Sequence, residues 1–321
     1  MIVITGAAGF IGSYLTGKLN KAGYTDLILV DKIDHPWKQM NLRNKKYREF
    51  IDRDHFFKWL INHATDVDFV FHLGANTDTI GQEPDLYQQL NLMYSQRLWN
   101  ICSEIQVPLL YASSAATYGN GEDGFSDSHN KIPNLRPLNL YGWSKQDFDV
   151  WALKQVHTPP FWAGMKFFNV YGPNEYHKDR MASVVLHAYN IIKENGKMEL
   201  FRSHHRDFKD GEQSRDFVFV DDISDVMLFF MENQKNKGIY NVGTGKARSF
   251  LDLTVSVFKS MNLSPDISFV DTPVDLRGRY QYFTEADIQK LRNVGYDKPF
   301  TSLEEGVGIY VDEFLKTGCC F

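Results

Sequence analysis

Tyr141 and Lys145 stand four positions apart, the spacing that sets two side chains on one face of a helix. A phenol in water gives up its proton near pH ~10. A neighbouring ammonium favours the phenolate, and a phenolate can take the proton of an alcohol. Tyr–Lys pairs are common on protein surfaces, so this one means little alone. A second segment, Tyr111-Ala112-Ser113-Ser114-Ala115-Ala116-Thr117-Tyr118-Gly119, directly follows a predicted strand. A serine at the carboxyl end of a strand in an open parallel sheet points into the ligand crevice. Ser114 in that place would hydrogen-bond a substrate hydroxyl and the carbonyl developing from it.

Oxidising an alcohol also needs a hydride acceptor, and the amino terminus offers it a seat. Gly6-Ala7-Ala8-Gly9-Phe10-Ile11-Gly12 follows one predicted strand and opens a helix. One glycine permits the tight turn, another lets backbone approach a pyrophosphate, and a third lets helix and strand pack closely. The helix N-terminus adds unpaired N–H groups and the positive end of its dipole. Gly6, Gly9 and Gly12 are therefore dinucleotide-binding candidates. Asp31 ends the second predicted strand, where a carboxylate accepts from a ribose 2′-OH and favours NAD. Lys32, Lys38, Arg43, Lys45, Lys46, Arg48 and Arg53 follow, and two of these bases would neutralise a 2′-phosphate. The residues alone leave NAD and NADP both open.

These groups require a scaffold that brings strand ends together. Apolar runs at Met1–Thr5, Leu27–Val30, Phe69–Leu73 and Val107–Tyr111 read as strands buried on both faces. Helical patterns run from the glycine loop to Leu19, over Phe56–Ile61 and over Leu86–Ile105. That alternation predicts an α/β fold, a Rossmann doubly wound parallel sheet with a smaller interleaved C-terminal part. Met165–Val170 and Phe217–Val220 read as further strands, Met181–Asn195 and Ile223–Asn233 as helices, and Arg202–Ser214 as a polar loop. The expected division is a dinucleotide-binding core over 1–170, rejoined at about 215–240, and a mainly substrate-binding remainder over 171–321. The C-terminal stretch Thr317–Phe321 is expected to be frayed.

Composition narrows the class. Hydrophobic residues at 43% and charged residues at 23% suit a globular protein. A net charge of −5 and the lack of a Lys/Arg stripe argue against a nucleic-acid partner. Cys102, Cys319 and Cys320 form neither a disulfide framework nor a metal-ligand spacing, so no metal is expected. No run is long enough to span a membrane and no secretory signal opens the chain, so the expected location is the cytoplasm.

The motifs resemble those of the extended short-chain dehydrogenase/reductases. Thr5–Gly12, His72-Leu73-Gly74-Ala75, the Ser-Ser-Ala-Ala-Thr-Tyr-Gly segment and the Tyr141/Lys145 pair all look like that family's markers. The likeness extends through Leu109–Gly119, Pro137–Lys145, Phe167–Ser183, Arg215–Val220, Gly278–Phe283 and Gly295–Phe300, nearly the whole chain in order. It implies an enzyme that epimerises a nucleotide-sugar substrate, an ADP-heptose, through a bound NADP that is regenerated each turn. Tyr141 would serve one face of the inverted carbon and Lys178 the other, with Lys145 and Ser114 beside Tyr141. By pattern alone, Lys178 is an ordinary cation in a polar loop.

The resemblance also implies cofactor contacts at Phe10, Ile11, Asp31, Lys32, Lys38, Arg53, Leu73, Gly74, Ala75, Asn76, Thr77, Asn91, Lys145 and Val170, which tip the choice toward NADP. Substrate contacts would fall at Ser114, Asn169, His187, Phe201, Arg215 and Tyr280. A guanidinium such as Arg215 suits a diphosphate. His187 and Tyr280 fit interior packing equally well by pattern. Arg180 occupies a sugar-facing position where a small polar residue is expected. A homo-oligomer, a pentamer, is implied as well. The alternatives are 4-epimerisation or 4,6-dehydration of another nucleotide sugar, and a regulator that keeps the fold without the chemistry. Ser113-Ser114-Ala115 lacks the acid pair that a dehydratase needs, and a regulator would not be expected to keep Ser114, Tyr141 and Lys145 together.

Overall fold

The computed structural model describes residues 1–273 and 281–321. Its strands are β1 (Ile2–Thr5), β2 (Leu27–Asp31), β3 (Glu49–Asp52), β4 (Phe69–His72), β5 (Leu109–Ser114), β6 (Trp162–Phe167), β7 (Asn169–Tyr171), β8 (Met198–Phe201), β9 (Ser214–Arg215), β10 (Phe217–Phe219), β11 (Gly238–Val242), β12 (Arg248–Ser249) and β13 (Ile267–Val270). Seven of them form one sheet in the order β11-β6-β5-β4-β1-β2-β3. Every pairing in it is parallel. This is the doubly wound Rossmann arrangement, and the strand order reverses between β1 and β4, where such sheets open a ligand crevice.

The strands are apolar along their length because neighbouring residues face two different cores. Ile2, Ile4, Leu29 and Phe71 join one buried cluster with Leu15 and Leu19 of α1 (Phe10–Lys21). Val3, Ile28, Val30 and Val70 join another, with Leu60, Leu98 and Trp99. Helices on both faces thus remove the need for a polar side. A third cluster holds Tyr171, Val185, Tyr189, Phe217, Leu253, Val257, Val307 and Tyr310, and it binds the later elements to Phe10 and Tyr14 of α1.

Three readings of the sequence change. β3 went unread because Glu49-Phe50-Ile51-Asp52 buries little besides Ile51, as an edge strand does. The helical run predicted over Leu86–Ile105 divides into Pro84–Tyr87, a π-helical turn at Gln88–Met93 and a helix at Tyr94–Glu104. The C-terminal stretch is docked, not frayed. The Phe321 ring stacks on Tyr14 with centroids 3.9 Å apart, and its N–H donates to Asn174 Oδ1 at 2.8 Å. Among the described residues no helix is long and apolar enough to cross a membrane.

Candidate active site

A cleft of about 630 Å³ opens at the reversal point of the sheet. Its floor is the glycine loop between β1 and α1. Gly6 has φ +68°, and a Cβ there would lie 2.6 Å from Gly74 N. A Cβ on Gly12 would lie 2.2 Å from the Gly6 carbonyl oxygen. Both positions exclude any side chain, which keeps backbone N–H groups at the head of α1 open to a phosphate. Asp31 closes the loop from β2: its Oδ2 accepts from Ala8 N at 2.9 Å and its Oδ1 from Lys32 N at 2.7 Å. Lys38 Nζ stands 3.3 Å from the same Oδ1, and Lys38 and Arg53 both line this end. A cradle without Cβ atoms, an acid at the end of β2 and two bases beside it fit a nicotinamide dinucleotide.

One residue of β5, Ala112, lines this cleft, and behind it stands the helix Leu140–Leu153, here α2. Asn139 caps that helix, its Oδ1 accepting from Gly142 N at 2.8 Å. Tyr141 and Lys145 follow on one face. Burial pushes the Tyr141 phenol up, a hydrogen bond with Ser114 works against this, and the charge of Asp149 adds to it. Lys145 is buried and donates to Ala112 O at 2.8 Å. Its ammonium is pushed down to about 8 by burial, with Asp149 opposing. Asn91, in the π-helical turn, ties this helix to the cofactor side. Its Oδ1 accepts from Asn76 N at 2.8 Å, while its Nδ2 donates to Asn76 O and to Ser144 Oγ, each at 2.9 Å. Ser144 Oγ in turn donates to Tyr141 O at 2.8 Å.

Lys178 reaches the cleft from a 3-10 turn, Tyr176–Met181. Its Nζ lies 5.6 Å from the centre of the Phe10 ring. Burial pushes its ammonium down, and the Glu175 carboxylate opposes that. The turn is held firmly: buried Glu175 accepts from Ser183 N at 2.5 Å and Ser183 Oγ at 2.6 Å, while Lys178 N donates to Glu175 O at 2.9 Å. Beside it Asp179 adopts φ 45°, ψ −122°, a conformation costly for any residue but glycine.

The cleft gathers Gly6, Gly9, Phe10, Ile11, Gly12, Asp31, Lys38, Arg53, Leu73, Gly74, Ala75, Asn76, Thr77, Lys178 and Arg180. Ala112 also lines it, and Lys145 donates to the Ala112 carbonyl, but Ser114, Tyr141 and Lys145 themselves do not line the cleft. Lys32 instead faces Asp54 at 3.7 Å, and the polar atoms of Asn91 are spent inside the protein. Val170 packs against the core from β7. Arg180 crosses the cleft mouth, with its guanidinium 3.3 Å from Asp78 Oδ2. Asn169, His187, Phe201 and Arg215 do not line this cleft; Arg215 sits over the Phe250 ring at 5.5 Å. Tyr280 lies outside the described residues. Sequence reasoning missed Asp149, Glu175 and Lys166. Lys166 alone carried a visible signal, as the single charge in the apolar run Trp162–Phe167.

The model of the NAD dependent epimerase/dehydratase family matches residues 2–243. The ADP-L-glycero-D-manno-heptose-6-epimerase of Fusobacterium nucleatum is 49% identical over 325 residues, covering 98% of each protein. The crystal structure of the Helicobacter pylori ADP-L-glycero-D-manno-heptose-6-epimerase is similar at TM-score 0.80 and 28% identity, over 97% of this chain and 95% of that one. A UDP-N-acetylglucosamine 4-epimerase from Methanobrevibacter ruminantium, in complex with UDP-N-acetylmuramic acid, is similar at TM-score 0.84 and 25% identity over 98% of each.

Proposed function

This chain belongs to the NAD dependent epimerase/dehydratase family, and on that premise we propose that it inverts C6 of ADP-D-glycero-D-manno-heptose to give the L-glycero epimer. The observation that carries the choice of reaction is the Lys178 amine, held in the cleft by a stapled turn, to which we assign the second proton transfer. Inverting a carbon by way of a transient ketone needs an acid–base group on each side of it. A 4-epimerase that swings its keto-sugar over needs only one.

When bound, the nicotinamide supplies a hydride acceptor that gives the hydride back, so the overall reaction is redox-neutral. The protein's own groups manage the protons. Burial holds the Tyr141 phenol protonated and pushes Lys178 toward the neutral amine. In this reading one of the two gives a proton while the other takes one, and they exchange roles in the reverse direction. Ser114 hydrogen-bonds the phenol and holds the sugar oxygen beside it. Lys145, charged at neutral pH, favours negative charge on the reacting oxygens.

We assign NADP as the cofactor because Lys38 and Arg53 line the cleft around Asp31, two cations for one 2′-phosphate. Asn169, His187, Phe201, Arg215 and Tyr280 are proposed as sugar and diphosphate contacts, with a homo-oligomer, a pentamer, as the working assembly in the cytoplasm. The test is incubation with ADP-D-glycero-D-manno-heptose in deuterated water, following C6 by NMR. The L-glycero epimer, formed without added cofactor and without deuterium at C6, is expected, and Lys178→Met is expected to stall. Turnover of UDP-sugars alone would move the reading to a 4-epimerase. Cofactor binding without any turnover would move it to a regulator. Nucleotide analysis of the released cofactor separates NADP from NAD.

A further inference from the structure

Beneath Tyr141, Ser114 and Lys145 lies a charged pair that the reaction above does not use. Asp149 of α2 and Lys166 of β6 have side-chain exposures of 0% each and meet at 2.6 Å. Asp149 Oδ2 also accepts from Ser113 Oγ at 2.6 Å, and its Oδ1 accepts from Tyr111 OH at 3.0 Å. Lys166 Nζ donates in addition to Thr117 Oγ1 at 2.7 Å. All three additional partners flank Ser114 in sequence, at 111, 113 and 117. Asp149 is four residues past Lys145 and eight past Tyr141, so the three share one helix face. A buried ion pair adds little stability over apolar packing of the same volume. The placement of this one, against both elements that carry the proton-transfer groups, points to another use.

We propose that Asp149 and Lys166 are positioning residues for that chemistry: they clamp the Ser114 end of β5 to α2 and set the potential felt by Tyr141 and Lys145. The proposal rests on Tyr141 being the proton-transfer group assigned above. The titratable groups facing Asp149 are Lys145 on its own helix, Tyr111 on β5, Lys166 on β6, Tyr118 on the turn after β5, and His129 beyond it. Burial pushes Tyr111 and Tyr118 well above the ordinary phenol range and His129 down to about 4. At neutral pH the local field is therefore made by one anion, Asp149, and two cations, Lys145 and Lys166.

Asp149→Asn and Lys166→Met both break the same pair, so a purely structural role would disturb the site in the same sense. A charge role separates them by sign. Losing the anion lowers the pH at which Tyr141 ionises; losing Lys166 leaves the anion uncompensated and raises it. Each shift is expected at about one pH unit. The readout is the ultraviolet phenolate titration of each holoenzyme variant minus its Tyr141→Phe counterpart, run beside the pH profile of epimerisation. Opposite shifts uphold the proposal, and equal or absent shifts overturn it. Full activity of Tyr141→Phe would sink the functional reading instead, while the titrations still decide the electrostatic one. If the single variants fail to fold, Asp149→Leu/Lys166→Met replaces the pair with apolar volume. A small downward shift then supports the proposal and an unmoved titration refutes it.

Discussion

Lys145→Met is expected to disable the enzyme while stabilising its fold near neutral pH. Burial pushes the Lys145 ammonium from its ordinary 10.5 to about 8, so the folded chain releases a proton that the unfolded chain retains. Between those two values the unfolded state binds more protons, and stability must rise with pH. Below about pH 8 the full penalty of the buried charge is present, about 3 kcal/mol. The variant removes that penalty but loses the bond to Ala112 O, worth about 1.5–2 kcal/mol for a charged donor. The net gain is about 1 kcal/mol at neutral pH. Between about pH 7 and about pH 9.5 the wild type should recover roughly 2 kcal/mol relative to the variant, reversing their order. Urea unfolding of both cofactor-free proteins by circular dichroism, repeated across that range, measures the difference. A gap that stays constant with pH would refute the claim that this amine is desolvated.

Other perturbations test the cradle, the second proton-transfer group and the periphery. Gly6→Ala places a Cβ 2.6 Å from Gly74 N at φ +68°, costing at least about 2 kcal/mol; a lower melting temperature and loss of copurifying cofactor are expected. Lys178→Met should lose at least about a hundredfold in epimerisation while keeping its cofactor, read by NMR and by absorbance of the bound nucleotide. Arg180→Ala breaks an exposed pair with Asp78 and should change stability by less than about 0.5 kcal/mol in urea unfolding. Phe321→Ala removes a ring stacked on Tyr14 and should cost about 2 kcal/mol, with the melting temperature as readout.

What could be read from the sequence follows the range of the forces involved. Gly6, Gly9 and Gly12 were legible because a tight βα turn makes a local demand on backbone and Cβ. Asp31 was legible by place, yet its carboxylate proves to be a staple for Ala8 N–H and a partner of Lys38. Lys178 looked like any lysine in a polar loop. Its burial comes from Phe10, far away in sequence, and from a turn held by Glu175 and Ser183. Asp149 was hidden for the same reason: its partners lie on β5 and β6, and no helical periodicity reveals them. The docked tail depends on Tyr14 and Asn174, contacts that no local pattern in Thr317–Phe321 could announce.

Lys145, behind the cleft at Ala112, and Lys178, which lines it, show how burial and partners tune one residue type in two ways. Both are pushed below the ordinary ammonium value, and burial is the first cause for each. They differ in what opposes that push. Lys145 bonds a backbone carbonyl and has Asp149 one turn away, so it stays a cation at neutral pH and acts through its charge. Lys178 has Glu175 as its counter-charge, a carboxylate that accepts from Ser183 and is itself pushed up by burial. The two amines therefore differ in their partners, a backbone carbonyl and Asp149 for Lys145 and the Glu175 carboxylate for Lys178, and not in residue type.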